Sequence, residues 1–139
     1  MKATFLDTSF LLAIMNVEDS LHDRAAAWKD RVRGRLLTTE FVLIEFLDAM
    51  CHAPLRRRAL DAIVLLRSDA NVSIVPLSSV LMEEGISWFA VHHDKDWSMT
   101  DCVSFHLMTQ QSVTEALTAD RHFEQAGFRA LLRCDPEQD

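Results

Sequence analysis

The chain has 139 residues, 49% of them hydrophobic and 25% charged, and a formal net charge of −7. That length suits one domain, and the apolar share is enough for a full core without disulfide or metal staples. The excess of acid argues at first against a nucleic-acid partner.

Read from the start, ATFL (3–6) predicts a short buried strand ending at Asp7, and Thr8 or Ser9 can cap the helix that follows. A second helix is expected from near Ser20 through Val32, stopped by Gly34. RLLT (35–38) is a second strand; Thr38 or Thr39 then caps an apolar helix through EFVLIEFLDAM. Residues 56–67 predict another helix with Pro54 near its start, and VSIVPL (72–77) is the strand with the richest β-branched content. Ser78 or Ser79 caps a helix through VLMEEGISWFAVHH, the loop DKDWS follows, and Met99 to about Gln111 is helical. TEALT (114–118) is a strand ending near Asp120, DRHFEQ a short helix stopped by Gly127, and FRALLR (128–133) an edge-like strand. Strands alternating with helices predict a three-layer α/β/α domain over 1–133, with a mainly parallel central sheet of about four to five strands. CDPEQD (134–139) reads as a frayed acidic tail.

The apolar start is interrupted by Asp7 and lacks a basic leader with a small-residue cleavage site, so a signal peptide is not expected. No apolar run reaches membrane-spanning length. Cys51, Cys102 and Cys134 are odd in number and form no C-x-x-C pair. This fits a reducing cytoplasm, with Cys51 and Cys102 as small core hydrophobes.

Four acids fall where such a fold gathers ligands, at the carboxyl edge of a parallel sheet. Asp7 and Asp120 end two strand-like runs, Glu45 interrupts an apolar helix, and Asp101 opens the helix whose apolar stripe continues with Phe105 and Met108. Each also has a plain structural reading. Asp7 and Asp120 suit helix caps, and Ser98 with Asp101 forms the S-x-x-[DE] capping box. Glu45 shares a polar stripe with Asp48 and His52 on a helix expected to be buried on most other sides, and Asp48 is a substitute carboxylate. Clustered carboxylates are costly unless a cation neutralises them, so together the four point to a metal-dependent enzyme.

With these residues on the page, the chain resembles the PIN-domain ribonucleases, and within them the VapC-type toxins of toxin–antitoxin pairs. The matching segments are FLDTSFLLA, TTEFVLIEFLDAM, DWSMTDCVSFHLM and ALTADRHFEQAGF. The resemblance implies an endoribonuclease dependent on Mg²⁺ or Mn²⁺ that leaves a 5′-phosphate and a 3′-hydroxyl. It implies Asp7 and Asp101 as direct metal ligands, and Glu45 and Asp120 as ligands directly or through water. Thr8 and Thr100 match the hydroxyl positions beside two of the acids, Ser98 lies near, and Asp96 in the approach loop is a further carboxylate. The family also implies a homodimer and an antitoxin protein that occupies a groove beside the site. The chemistry agrees: Mg²⁺ takes oxygen ligands, and a bound cation acidifies its water and screens charge on phosphoryl oxygens.

The charge then needs dissection. Setting aside the four site acids and the three of the tail leaves 14 acids against 14 Lys+Arg, a neutral body. Arg31, Arg33, Arg35 and the run Arg56–Arg57–Arg58 are candidates for phosphate contact, or solvated helix ends. The six histidines make no zinc pattern, and His122 reads as locally packed. Trp28, Trp88 and Trp97 read as core or interface anchors. Three alternatives remain. One is a non-toxin PIN-type nuclease of RNA processing. Another is an aspartate-based phosphohydrolase using Asp7 as nucleophile, against which stands the absence of a D-x-D pair. The third is a catalytically silent RNA-binding module.

Overall fold

The computed structural model of the protein describes residues 2–138. Its strands are β1 (Ala3–Leu6), β2 (Arg35–Thr39), β3 (Val72–Val75), β4 (Glu115–Leu117) and β5 (Arg129–Ala130). Its helices are α1 (Thr8–Met15), α2 (His22–Arg31), α3 (Glu40–Ala49), α4 (Ala53–Ser68), α5 (Ser79–Val91), α6 (Met99–Gln110) and α7 (Arg121–Gln125). The strands form one sheet in the order β3-β2-β1-β4-β5, flanked by helices, and every pair is parallel. The predicted α/β architecture is therefore present.

Phe5 and Leu6 of β1 and Ala116 and Leu117 of β4 are at most 1% exposed, as parallel strands covered on both faces require. Phe5 stands opposite Leu37 on one side and Ala116 on the other. Chain order runs outward from β1 through β2 to β3, then returns to the other side of β1 for β4 and β5. The order thus reverses between β1 and β4. In open α/β sheets the crevice at such a reversal is where ligands enter.

Several boundaries differ from expectation. β3 stops at Val75, because Pro76 has no N–H to continue the ladder. The last predicted strand keeps only Arg129–Ala130. Leu131–Arg133 turn as a 3-10 segment that buries Leu131 and Leu132, with Leu132 N–H donating to Thr118 O at 3.0 Å. α2 begins at His22, two residues later than expected, after Asp19 accepts the N–H of Leu21. Asp7, rather than Thr8 or Ser9, occupies the N-cap of α1, and its side chain makes no capping bond. The tail does not fray at its root. Cys134 O accepts from Trp28 Nε1 at 3.0 Å, and Pro136–Gln138 form a further 3-10 turn.

Packing centres on α6. Phe105 meets Phe123 edge-on at 4.9 Å and Trp97 at 4.9 Å, joining α6 to α7 and to the preceding loop. α5 crosses α6 closely at Gly85, beside Val103 and Met99. Trp28 and Trp97 are buried, as read from the sequence, and Trp88 packs partly buried against the core. Cys102 is buried, but Cys51 is exposed, lying two residues beyond the end of α3. No helix among the described residues is long and apolar enough to cross a membrane.

Candidate metal centre

Asp7 leaves β1 at its carboxyl end, next to the reversal point, and is 5% exposed. Its backbone N–H donates to Leu117 O of β4, which holds the two strand ends together. Thr118, wholly buried, donates its hydroxyl to Asp7 Oδ2 at 2.7 Å, and Ser9 donates to the same oxygen at 3.3 Å. Thr118 Oγ1 also accepts Asp120 N–H at 3.0 Å, and Ser9 Oγ accepts Ala119 N–H at 3.0 Å. Two hydroxyls thus tie the segment after β4 to the start of α1.

Burial pushes the Asp7 carboxyl up to about 7. The Thr118 hydroxyl and the Thr8 backbone oppose that rise, and the charges of Asp101 and Glu45 add to it. A buried acid raised so far, with two more carboxylates acting on it, marks a candidate functional site. Beside it, Thr8 Oγ1 is the one buried side-chain oxygen among the described residues with no hydrogen-bond partner.

Asp101 sits at the third position of α6 and is 7% exposed. The predicted capping box is present: Asp101 N–H donates to Ser98 Oγ at 3.0 Å, and Ser98 N–H to Asp101 Oδ2 at 3.1 Å. Its apolar partners Phe105 and Met108 are wholly buried, so the carboxylate heads a core-facing stripe. Burial raises its pKa, the Ser98 backbone opposes that, and the charge of Asp120 raises it further. Asp120 is the N-cap of α7 and accepts His122 N–H at 2.8 Å.

The four acids are not equally close. Carboxylate oxygens of Asp101 and Asp120 and a ring nitrogen of His122 all lie within 4.8 Å of one another. Asp7 and Glu45 stand outside that trio, and the charges of Asp101 and Glu45 both act on Asp7. Glu45 is half-buried on α3, with Asp48 exposed one turn on. Its helix is less enclosed than its apolar sequence suggests, since Ile44 is 46% exposed. Asp96 is exposed and makes no bond to the acids among the described residues. The Thr100 carbonyl accepts from Ser104, and its hydroxyl has no hydrogen bond among the described residues.

His122 corrects its reading as a locally packed residue. Its Nδ1 lies 3.1 Å from Asp101 Oδ2 and 3.3 Å from Asp120 Oδ1. Ser9, Thr118 and His122 were all missed as members of the site. Ser9 follows D-T and Thr118 and His122 flank Asp120, so adjacency to the acids was the only signal available.

The basic candidates are mostly engaged elsewhere. Arg35 opens β2, at the opposite end of a parallel sheet from the acids, and bonds Ser73. Arg56 donates to Cys51 O and Arg58 to Met15 O, while Arg57 pairs with Asp61 at 3.4 Å. These are helix-end and surface contacts, as one of the two readings had it.

The acids, carboxylates of which Asp7 and Asp101 are buried, fit a hard divalent cation such as Mg²⁺ or Mn²⁺. A family model described as PIN domain matches residues 4–129. The 23S rRNA-specific endonuclease VapC20 of Mycobacterium tuberculosis is 28% identical over 127 residues, covering 89% of this chain and 94% of that protein. The crystal structure of VapC20, described as a Sarcin-Ricin loop cleaving toxin, superposes with a TM-score of 0.82 at 26% identity, over 90% of this chain and 95% of that one. FitAcB from Neisseria gonorrhoeae shares the fold at a TM-score of 0.62 and 17% identity, over 91% of this chain and 94% of that one.

Proposed function

The chain belongs to the PIN-domain family, as a VapC-type endoribonuclease toxin, and from that premise we propose how it cleaves RNA and which residues do so. Asp7, Asp101 and Asp120 would hold a divalent cation, Mg²⁺ or Mn²⁺, with Glu45 ligating directly or through water. When bound, such an ion acidifies a water for attack on a phosphodiester and screens the charge that builds on the phosphoryl oxygens.

The chain's own residues prepare that site. Thr118 and Ser9 hold one oxygen of Asp7 in place, and the capping box fixes Asp101. Burial strips water from Asp7 and Asp101, so a cation held there would be attracted to them at low dielectric and would offset their repulsion of a substrate phosphate. Asp7, raised to about 7, gives up its proton readily to a cation near neutral pH. Asp7 buried at the β1–β4 reversal, with Asp101 buried beside Asp120, is the observation that carries the proposal. Thr8 and Thr100 are proposed to face substrate or metal-bound water with their unpaired hydroxyls. Arg121, exposed and directly after Asp120, is proposed to meet a phosphate.

The specificity of VapC20 favours ribosomal RNA among the possible substrates. An antitoxin protein and a second copy of the chain are proposed partners. Apolar residues exposed along α5, among them Val80, Phe89 and Val91, support a further protein contact. We place the protein in the cytoplasm, where its RNA is found and its cysteines stay reduced.

The test is cleavage of purified ribosomal RNA in Mg²⁺ by wild type and by Asp101→Asn. Wild type should yield discrete fragments with 5′-phosphate ends, and the variant should lose at least about a hundredfold in rate. Undiminished cleavage by a clean Asp101→Asn preparation would sink the proposal.

A further inference from the structure

His122 is not among the acids of the proposed site, yet it touches two of them. Its backbone N–H donates to Asp120 Oδ1 at 2.8 Å, and its ring Nδ1 lies between Asp101 Oδ2 at 3.1 Å and Asp120 Oδ1 at 3.3 Å. Both neighbours of Nδ1 are carboxylate oxygens, which only accept when ionised, and on that ground the hydrogen is assigned to Nδ1. The ring is 21% exposed, held against the site rather than swinging in solvent. Asp101 arrives from α6 and Asp120 from the segment after β4, so no backbone bond sets one carboxylate against the other.

We infer that His122 is a positioning residue of the metal site: its Nδ1–H, shared between Asp101 and Asp120, sets the two carboxylates in register so that their remaining oxygens face the cation. This rests on the metal-dependent reading above. The bonding pattern favours positioning over ligation. Asp101 Oδ2 already accepts the Ser98 N–H, and Asp120 Oδ1 already accepts the His122 N–H. The oxygens facing Nδ1 are therefore those committed to the protein. A cation seated between them and the ring would have to displace those bonds. Asp101 Oδ1 has no hydrogen bond among the described residues and is the oxygen left for a ligand. A donor between two carboxylates also relieves their repulsion before the ion arrives.

The experiment compares wild type with His122→Asn, His122→Phe and His122→Ala. The Asn amide nitrogen comes close to the place of Nδ1 and keeps a donor; Phe keeps the bulk without one, and Ala guards against misfolding of the Phe variant. Mn²⁺ affinity is measured by calorimetry on the metal-free proteins, alongside their melting temperatures and cleavage as a function of Mn²⁺. His122→Phe and His122→Ala should bind Mn²⁺ about 10- to 100-fold more weakly, the range for losing a group that orients a ligand. Saturating Mn²⁺ should restore their turnover, and His122→Asn should bind within about threefold of wild type by retaining the donor. Wild-type affinity in the Phe and Ala variants overturns the inference. So does an Asn variant as weak as Phe, or an imidazole nitrogen coupling of direct-ligand size in the spectrum of wild-type protein with bound Mn²⁺. If wild type itself binds no Mn²⁺, the metal-dependent reading fails, and this inference with it.

Discussion

Asp7 shows how a single residue holds two roles at once. Its position at a strand end, before a hydroxyl pair, was plain from the sequence, but so was the plain reading of a helix cap. It does occupy the N-cap, yet its carboxylate makes no capping bond and instead takes hydrogen bonds from the hydroxyls of Thr118 and Ser9. Thr118 lies 111 positions further along the chain, so nothing local could reveal the pairing. The raised pKa has a consequence for stability. An acid at 3.8 when unfolded and about 7 when folded favours the folded state fully below about 3.8. That advantage is lost as pH rises to about 7, a fall on the order of 4 kcal/mol for the metal-free protein. Asp7→Asn should flatten this slope and make the metal-free protein more stable than wild type at pH 8, about one unit above the folded value. Urea midpoints measured with chelator across that range check it, and parallel slopes in the two proteins would refute it.

At the scale of elements, the strand–helix alternation was legible because the apolar runs are short and β-branched while the helical segments carry caps. Ser78, Thr39 and the Ser98 box cap α5, α3 and α6 as their chemistry demands. The ends were less legible. Leu131 and Leu132 look like strand residues, but their burial is satisfied by a 3-10 turn against the Thr118 carbonyl. Gly85 carried no signal at all in the sequence, being one glycine in an otherwise ordinary helix. A Cβ there would stand 2.6 Å from Val103 Cγ2 and 3.1 Å from Met99 Cε. Val103 is β-branched and wholly buried, so it has little room to yield. Gly85→Ala should therefore destabilise by about 1–3 kcal/mol through overpacking, despite alanine's helix advantage of about 1 kcal/mol. Denaturant unfolding decides it, and a gain in stability would show that α5 and α6 can part.

For the whole molecule, the charge of −7 looked at first like an obstacle to binding RNA. Part of it is gathered at the carboxyl edge of the sheet, where a divalent cation would offset it and leave a surface that phosphate can approach. Because the cation would bind the folded cluster and not the unfolded chain, Mn²⁺ at about 100 times its Kd should add about 2.7 kcal/mol. That should raise Tm by several degrees, more at pH 8 than at about pH 5, where protons compete for the carboxylates. Thermal melts at the two pH values test this, and equal shifts would argue against the buried acids as the ligands. The sequence by itself determined the fold class, since hydrophobic period and cap chemistry are written in neighbouring residues, and it offered the four acids as candidates. Only the tertiary structure decided how those acids divide. The β1–β4 reversal and the packing of α6 on α7 draw Asp101, Asp120 and His122 into one group and leave Asp7 outside it, under the charges of Asp101 and Glu45. Such distances depend on how separate elements pack, and no local pattern in the chain encodes them.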